Sequence, residues 1–192
     1  MRIIGGSARG RRLITPGRQF GQAVRPTSDR AREALFNILR DEVVDRPVLE
    51  LFAGTGALGL EALSRGATSV LFVEGNRSVA DLLQRNIDLC GFRDRARVLV
   101  RDLAKGLTFL RETAPENGFG LILLDPPYAS GLAEKVLTEL ASLAILKSDG
   151  LVVAEIGRKE TLPEQVGPLR CLDRRRYGEA VFWFYHVGEG QS

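Results

Sequence analysis

Histidine is almost missing from this sequence. His186 is the only one in 192 residues, and it sits among Phe182, Trp183, Phe184 and Tyr185, where a structural role is expected. Hydride chemistry is therefore left without a placed histidine. Cysteine is scarce as well: Cys90 and Cys171 stand alone, with no C-x-x-C pair. That excludes a disulfide framework and a cysteine-based zinc site, and a reducing cytoplasm is the expected setting. No metal is expected. No apolar run approaches the roughly 18 residues of a membrane span. Met1 to Arg12 holds no apolar signal core, so neither export nor a membrane contact is expected. Internal repeats and low-complexity tracts are also lacking.

What is present is an ordinary globular composition, 44% hydrophobic and 27% charged, long enough for one domain with a buried core. Charge is unevenly spread. Residues 1–40 hold nine arginines against Asp29 and Glu33, a net of +7 in a chain of total +3, so the remainder carries −4. Such asymmetry suits either a basic arm that meets a polyanion or a solvated arginine-rich surface. The chain divides into a basic N-terminal arm or hairpin (1–25), a main domain (26–187) and a short tail (188–192).

Hydrophobic periodicity predicts the elements. Arg2–Ile4 and Arg12–Ile14 are short β-like pieces. Thr27 or Ser28 can cap a helix whose apolar face is Ala31, Ala34, Leu35, Ile38 and Leu39. Strand and helix then alternate: a strand at Val48–Phe52, a helix at Ala57–Arg65 closed by Gly66, a strand at Val70–Val73, and a helix capped by Asn76 and stopped at Gly91. A strand at Arg97–Val100 leads to a short helix near Leu103–Arg111. Leu121–Leu124 reads as a strand buried on both faces. A helix from Ser130 to Ala144, a strand at Leu151–Ile156 and a hairpin of Arg170–Arg174 with Ala180–Val187 complete the chain. The alternation implies an α/β fold with a mostly parallel sheet, in which ligands bind beyond the carboxyl ends of the strands.

The chemically able residues stand at those ends. Glu50 and the loop Gly54-x-Gly56-x-x-Gly59 close the first strand, and Glu74 the second. Asp102 follows the third, and Asp125-Pro126-Pro127-Tyr128 the fourth. The glycine loop lets backbone approach a nucleotide-like cofactor, and the helix start offers N–H groups to an anion. Glu74 can accept both ribose hydroxyls of S-adenosylmethionine or of a dinucleotide, so it does not choose between them. Asp102 suits a cofactor contact or a cap for Leu103 onward.

The tetrapeptide after the fourth strand favours methyl transfer. A base amino nitrogen is a poor nucleophile because its lone pair is delocalised into the ring. Asp125 and the carbonyl of Pro126 can take its two hydrogens and aim that lone pair. Pro126 and Pro127 stiffen the loop and remove two N–H donors. Tyr128 offers a flat face for base stacking, worth on the order of 1–3 kcal/mol. Arginines of the first 40 residues and Arg174, Arg175 and Arg176 can hold phosphates, though the triplet also reads as a solvated turn. Three rivals stand beside this reading: an adenine-N6 methyltransferase on RNA or DNA, a non-catalytic RNA-binding protein, and a nicotinamide dehydrogenase.

The stretch from Val48 to Ala67 and Asp-Pro-Pro-Tyr128 resemble class I methyltransferases. Arg2-Ile-Ile-Gly-Gly-Ser-Ala-Arg-Gly-Arg11 and the segment Arg25 to Asn37 resemble the bacterial RsmD-type family, which methylates N2 of one guanine in 16S ribosomal RNA. That resemblance implies a Rossmann-like, seven-stranded sheet with its last strand antiparallel. It implies a cofactor, S-adenosyl-L-methionine, leaving as S-adenosyl-L-homocysteine, lined by Glu50, Phe52, Gly54, Gly56, Glu74, Asp102 and Leu103, with Thr27 closing over the methionine end. Asp125, Pro126, Pro127 and Tyr128 would hold the guanine. Arg9, Arg11, Arg12, Arg25, Arg174, Arg175 and Arg176 would meet 16S RNA on the small ribosomal subunit, with the enzyme expected to act as a monomer. Ser28 and Tyr128 stand where other members are expected to carry Thr and Phe.

Overall fold

The computed structural model describes residues 1–16 and 28–188. Thr27, Arg25 and the expected 25/26 boundary lie outside the described residues. The chain runs α1 (Asp29–Leu39), β1 (Pro47–Leu51), α2 (Ala57–Ser64), β2 (Ser69–Glu74), α3 (Arg77–Cys90), β3 (Ala96–Val100), α4 (Leu110–Thr113), β4 (Phe119–Leu124), α5 (Leu132–Leu143), β5 (Leu146–Gly157), β6 (Gln165–Val166), β7 (Leu169–Tyr177) and β8 (Ala180–Val187).

One eight-stranded sheet, ordered β3-β2-β1-β4-β5-β8-β7-β6, forms the middle layer. The first five strands are mutually parallel, and β8, β7 and β6 are added antiparallel. The family resemblance implied seven strands. The eighth is the two-residue β6, whose Gln165 and Val166 pair with Arg170 and Leu169. Strand order reverses between β1 and β4, which places the switch point of the sheet there.

Each face of the sheet has its own core. Val48, Phe72, Leu121, Val153 and Phe182 pack under α1, α2 and α3. Leu49, Leu124, Val152 and Trp183 pack under α4 and α5. The six residues of β4 are all buried, as an apolar run between two helical layers requires.

Local signals explain most element ends. Ser28 caps α1 by accepting the Ala31 N–H at 3.1 Å, and Asn76 caps α3 by accepting from Ser78 and Val79. Gly91 closes α3 with φ +76°. Elsewhere the chain departs from its periodicity. The face of α1 buries Arg32 and Phe36, while Ile38 is exposed. Leu103–Arg111 is no continuous helix: a 3-10 turn at Leu103–Lys105 and α4 are separated by Gly106 at φ +110°. The N-cap position of α5 is Gly131, at φ +70°, one residue after the expected Ser130, whose hydroxyl accepts the Leu132 N–H at 3.3 Å and donates to Pro127 O.

Residues 1–14 are an integral layer over α2 and α3. Arg2 and Arg12 form an antiparallel bridge, and Ile3, Ala8 and Leu13 are buried in the first core. Glu61 on α2 accepts the N–H groups of Ile4 and Gly5 at 2.7 and 2.8 Å. Ser64 accepts from Ala8 N and donates to Gly5 O. Arg32, one of the nine N-terminal arginines, is not part of any basic surface. It lies fully buried between the Arg2 carbonyl, Asp29 and Glu61.

Candidate active site

The ends of β1 and β4 carry two loops side by side. Leu51 is in register with Leu124, and the Asp125 N–H reaches Leu51 O at 3.5 Å. The glycine loop and the Asp125 loop thus leave the same sheet edge from adjacent strands, roughly 4.8 Å apart. Both carry backbone tension: Phe52 has φ +58° and Ala129 φ +56°. Non-glycine residues hold that conformation only where their surroundings enforce it.

Glu50 braces the glycine loop from below. It is 3% exposed, and its carboxyl group accepts the N–H of Gly59 at 2.8 Å. Burial, with a smaller push from Glu74, raises its pKa to about 8. Gly59 has to be glycine for this approach, because a Cβ there would stand 2.6 Å from Glu50 Oε2 and 2.5 Å from Phe72 Cε1. Glu50 therefore lies buried beneath the glycine loop.

This brace bears on which ligand the loop accepts. Ala57 opens α2, so Gly59 is among the N–H donors that have no partner within the helix, and Glu50 takes it. The Gly54 N–H goes to Glu74 Oε2 at 2.9 Å and that of Gly56 to Ala53 O at 2.7 Å. The expectation that the helix start offers N–H groups to an anion does not hold for the Gly54, Gly56 and Gly59 donors, whether that anion is a pyrophosphate or the carboxylate of a methionine moiety.

The rim above is rich in acceptors. Glu74 is half-buried and accepts from Gly54 with one oxygen and from Asn76 with the other. Each oxygen keeps a further lone pair for a ligand hydroxyl. Asp102 caps the turn after β3 through Ala104 N at 3.0 Å and is exposed. The Leu103 side chain is in the second core, so only its backbone faces this edge. Carboxylates suit a ligand that is cationic and bears hydroxyls and amines.

In the β4 loop, Asp125 is half-buried, Pro126 buried and Pro127 exposed. Tyr128 is not a freely presented ring. Its hydroxyl donates to Glu155 Oε1 at 2.7 Å. Glu160 accepts from Ala129 N and Gly157 N, both at 2.9 Å. Neither acid was singled out in the sequence, although Glu155 was legible as one charge inside the apolar run Leu151–Ile156.

The expected RNA-binding residues fall in two places. Arg9, Arg11 and Arg12 are exposed and line a depression of about 510 Å³ with Gly10 and Leu89. Arg11 also donates to Leu89 O at 2.8 Å. Arg174, Arg175 and Arg176 lie on β7, not in a turn. Arg174 pairs with Glu164 and stacks on Trp183 at 4.4 Å, and Arg175 pairs with Asp173 at 2.7 Å. Exposed pairs of this kind are weak enough to be exchanged for a phosphate. Among the described residues no cluster of His, Cys, Asp or Glu gathers to hold a metal, and no helix is long and apolar enough to cross a membrane.

Known proteins are similar to this chain in sequence and in fold. The family model described as Conserved hypothetical protein 95 matches residues 1–186. The Escherichia coli K12 protein named ribosomal RNA small subunit methyltransferase D is 38% identical over 194 residues, covering 100% of this chain and 93% of the relative. The chain belongs to the RsmD-type methyltransferase family. The Haemophilus influenzae member of the same name is 36% identical, over 84% of this chain and 81% of its own. Among solved structures, a hypothetical protein of Thermus thermophilus matches with TM-score 0.81 and 31% identity over 97% of this chain and 99% of the other. The family's fold is the one described above: a Rossmann-like methyltransferase sheet with an antiparallel C-terminal hairpin.

Proposed function

We propose that this protein transfers a methyl group from S-adenosyl-L-methionine to the exocyclic N2 amino group of a guanine in 16S ribosomal RNA, on the small subunit. One observation carries the reading: the acceptor-rich Asp125 loop stands on the strand next to the glycine loop, at the switch point of the sheet. The relatives' names, which specify the small ribosomal subunit, support the substrate class.

The residues fit the cofactor. Glu74 has lone pairs that would accept ribose hydroxyls, and Asp102 with the backbone beyond it would hold the adenine amino group. When bound, S-adenosylmethionine supplies an electrophilic sulfonium methyl. The chain's own part is to prepare the nucleophile. Asp125 accepts one hydrogen of the guanine amino group and the Pro126 carbonyl the other, which draws the nitrogen toward tetrahedral geometry. Tyr128 stacks on the base and excludes water from its face. The proton leaves after transfer, so a strong base is unnecessary and the Asp125 carboxylate suffices as acceptor.

The decisive experiment is incubation with labelled S-adenosylmethionine and undermethylated small subunits, followed by nucleoside mass spectrometry. N2-methylguanosine is the expected product. N6-methyladenosine would transfer the same geometry to the adenine alternative, and no labelled nucleoside would end the methyltransferase reading.

A further inference from the structure

Prolines set the internal shape of the Asp125 loop but not its stance on the sheet. Pro126 and Pro127 contribute no N–H with which to anchor it. Apart from the Asp125 N–H on Leu51 O, the anchors come from β5 and the segment beyond it. Tyr128 Oη donates to Glu155 Oε1 at 2.7 Å, and Glu155 is 3% exposed. Glu160 spans two strands' ends, with Oε1 on the N–H of Ala129 and Oε2 on the N–H of Gly157. The Tyr128 ring lies against Gly157, where a Cβ would come within 3.2 Å of Cδ2.

We infer that Glu155 and Glu160 are positioning residues for the proposed methyl transfer: Glu155 sets the plane of the Tyr128 ring, and Glu160 holds the Asp125–Ser130 loop at its height above the sheet. A buried carboxylate in an apolar strand is costly unless it is hydrogen-bonded, and the Tyr128 hydroxyl supplies one such bond, which favours one ring orientation. Glu160 likewise holds Ala129 at its positive φ by capturing its N–H. Both acids act through the loop, since neither is part of the Asp125-Pro-Pro-Tyr acceptor set.

The inference rests on the proposed function, and the test separates the two. The full chain would be assayed on undermethylated small subunits under single-turnover conditions, with cofactor affinity measured by calorimetry. Glu160→Ala is expected to slow methyl transfer by about 10–100-fold, the scale of a misplaced reacting group, with cofactor Kd within about twofold of the parent. Glu160→Gln, which keeps one acceptor, is expected to recover part of that loss. E155A and Y128F, each of which removes the Tyr128–Glu155 hydrogen bond, are each expected to slow transfer, and their combination to be no slower than the worse single variant. A parental rate in Glu160→Ala or in E155A, or losses in E155A and Y128F that multiply, would overturn the inference. Amide exchange adds a readout free of activity: Ala129 and Gly157 are expected to exchange faster in Glu160→Ala, and unchanged protection would overturn it. An inactive parent with the exchange result intact would discard the function and leave the anchoring in place.

Discussion

Two carboxylates at the ends of neighbouring strands have opposite tasks. Asp125 stands half-buried at the loop surface, where it can accept a hydrogen from a base. Asp125→Ala is therefore expected to keep cofactor affinity and lose methyl transfer by about 10²–10⁴-fold; calorimetry and a methylation assay check both halves, and a parental rate would remove Asp125 from the mechanism. Glu50 is turned inward, with its pKa raised by burial from 4.5 to about 8. Between those values the folded chain keeps a proton that the unfolded chain has released, so Glu50 lowers stability progressively as pH rises. The slope reaches at most about 1.4 kcal/mol per pH unit and vanishes above the folded pKa. Glu50→Gln is expected to flatten the melting temperature between about pH 5 and pH 8. Parallel profiles for parent and variant would mean that Glu50 is not the titrating group. The spacing Gly54-x-Gly56-x-x-Gly59 was readable at this scale, but the inward turn of Glu50 was not, because the strand pattern cannot tell which side of a loop a carboxylate serves.

Among the elements, the N-terminal hairpin changes meaning most. Its arginines read as a basic arm, yet Ile3, Ala8 and Leu13 are core residues and Glu61 clasps its backbone. Ile3→Ala is expected to cost about 2–5 kcal/mol, or roughly 4–20 °C in melting temperature. A thermal shift near zero would show the hairpin to be detachable. Helix caps at Ser28, Asn76 and Gly91 were legible because they depend on interactions within a few residues. The full extent of β5 was not. Lys147–Asp149 looks like a turn, but Leu146 pairs with Phe119 across an irregular register. Arg32 on α1 was equally illegible, since its partners Arg2 and Glu61 are 30 and 29 residues away.

At the scale of the whole molecule, the basic surface has to be tested by charge rather than by deletion. Removing residues 1–24 would strip a layer from the core and confound folding with RNA capture. Neutralising Arg9, Arg11 and Arg12 leaves Ile3, Ala8 and Leu13 in place. The triple alanine variant is expected to bind RNA more weakly and with a shallower salt dependence, by about 0.7–0.9 in log–log slope for each phosphate no longer neutralised, while cofactor affinity holds. Filter binding across a salt series checks this, and an unchanged slope would assign those arginines to a merely solvated surface. The order of the chemistry along the chain, glycine loop, Glu74, Asp102, then Asp125, was determined by the sequence alone, because alternating periodicities force each motif to a strand end. Only the tertiary structure decided that β4 lies beside β1 and that Tyr128 is tied to Glu155. Those facts depend on pairings across many residues of intervening chain, which no local pattern of hydrophobicity or turn chemistry encodes.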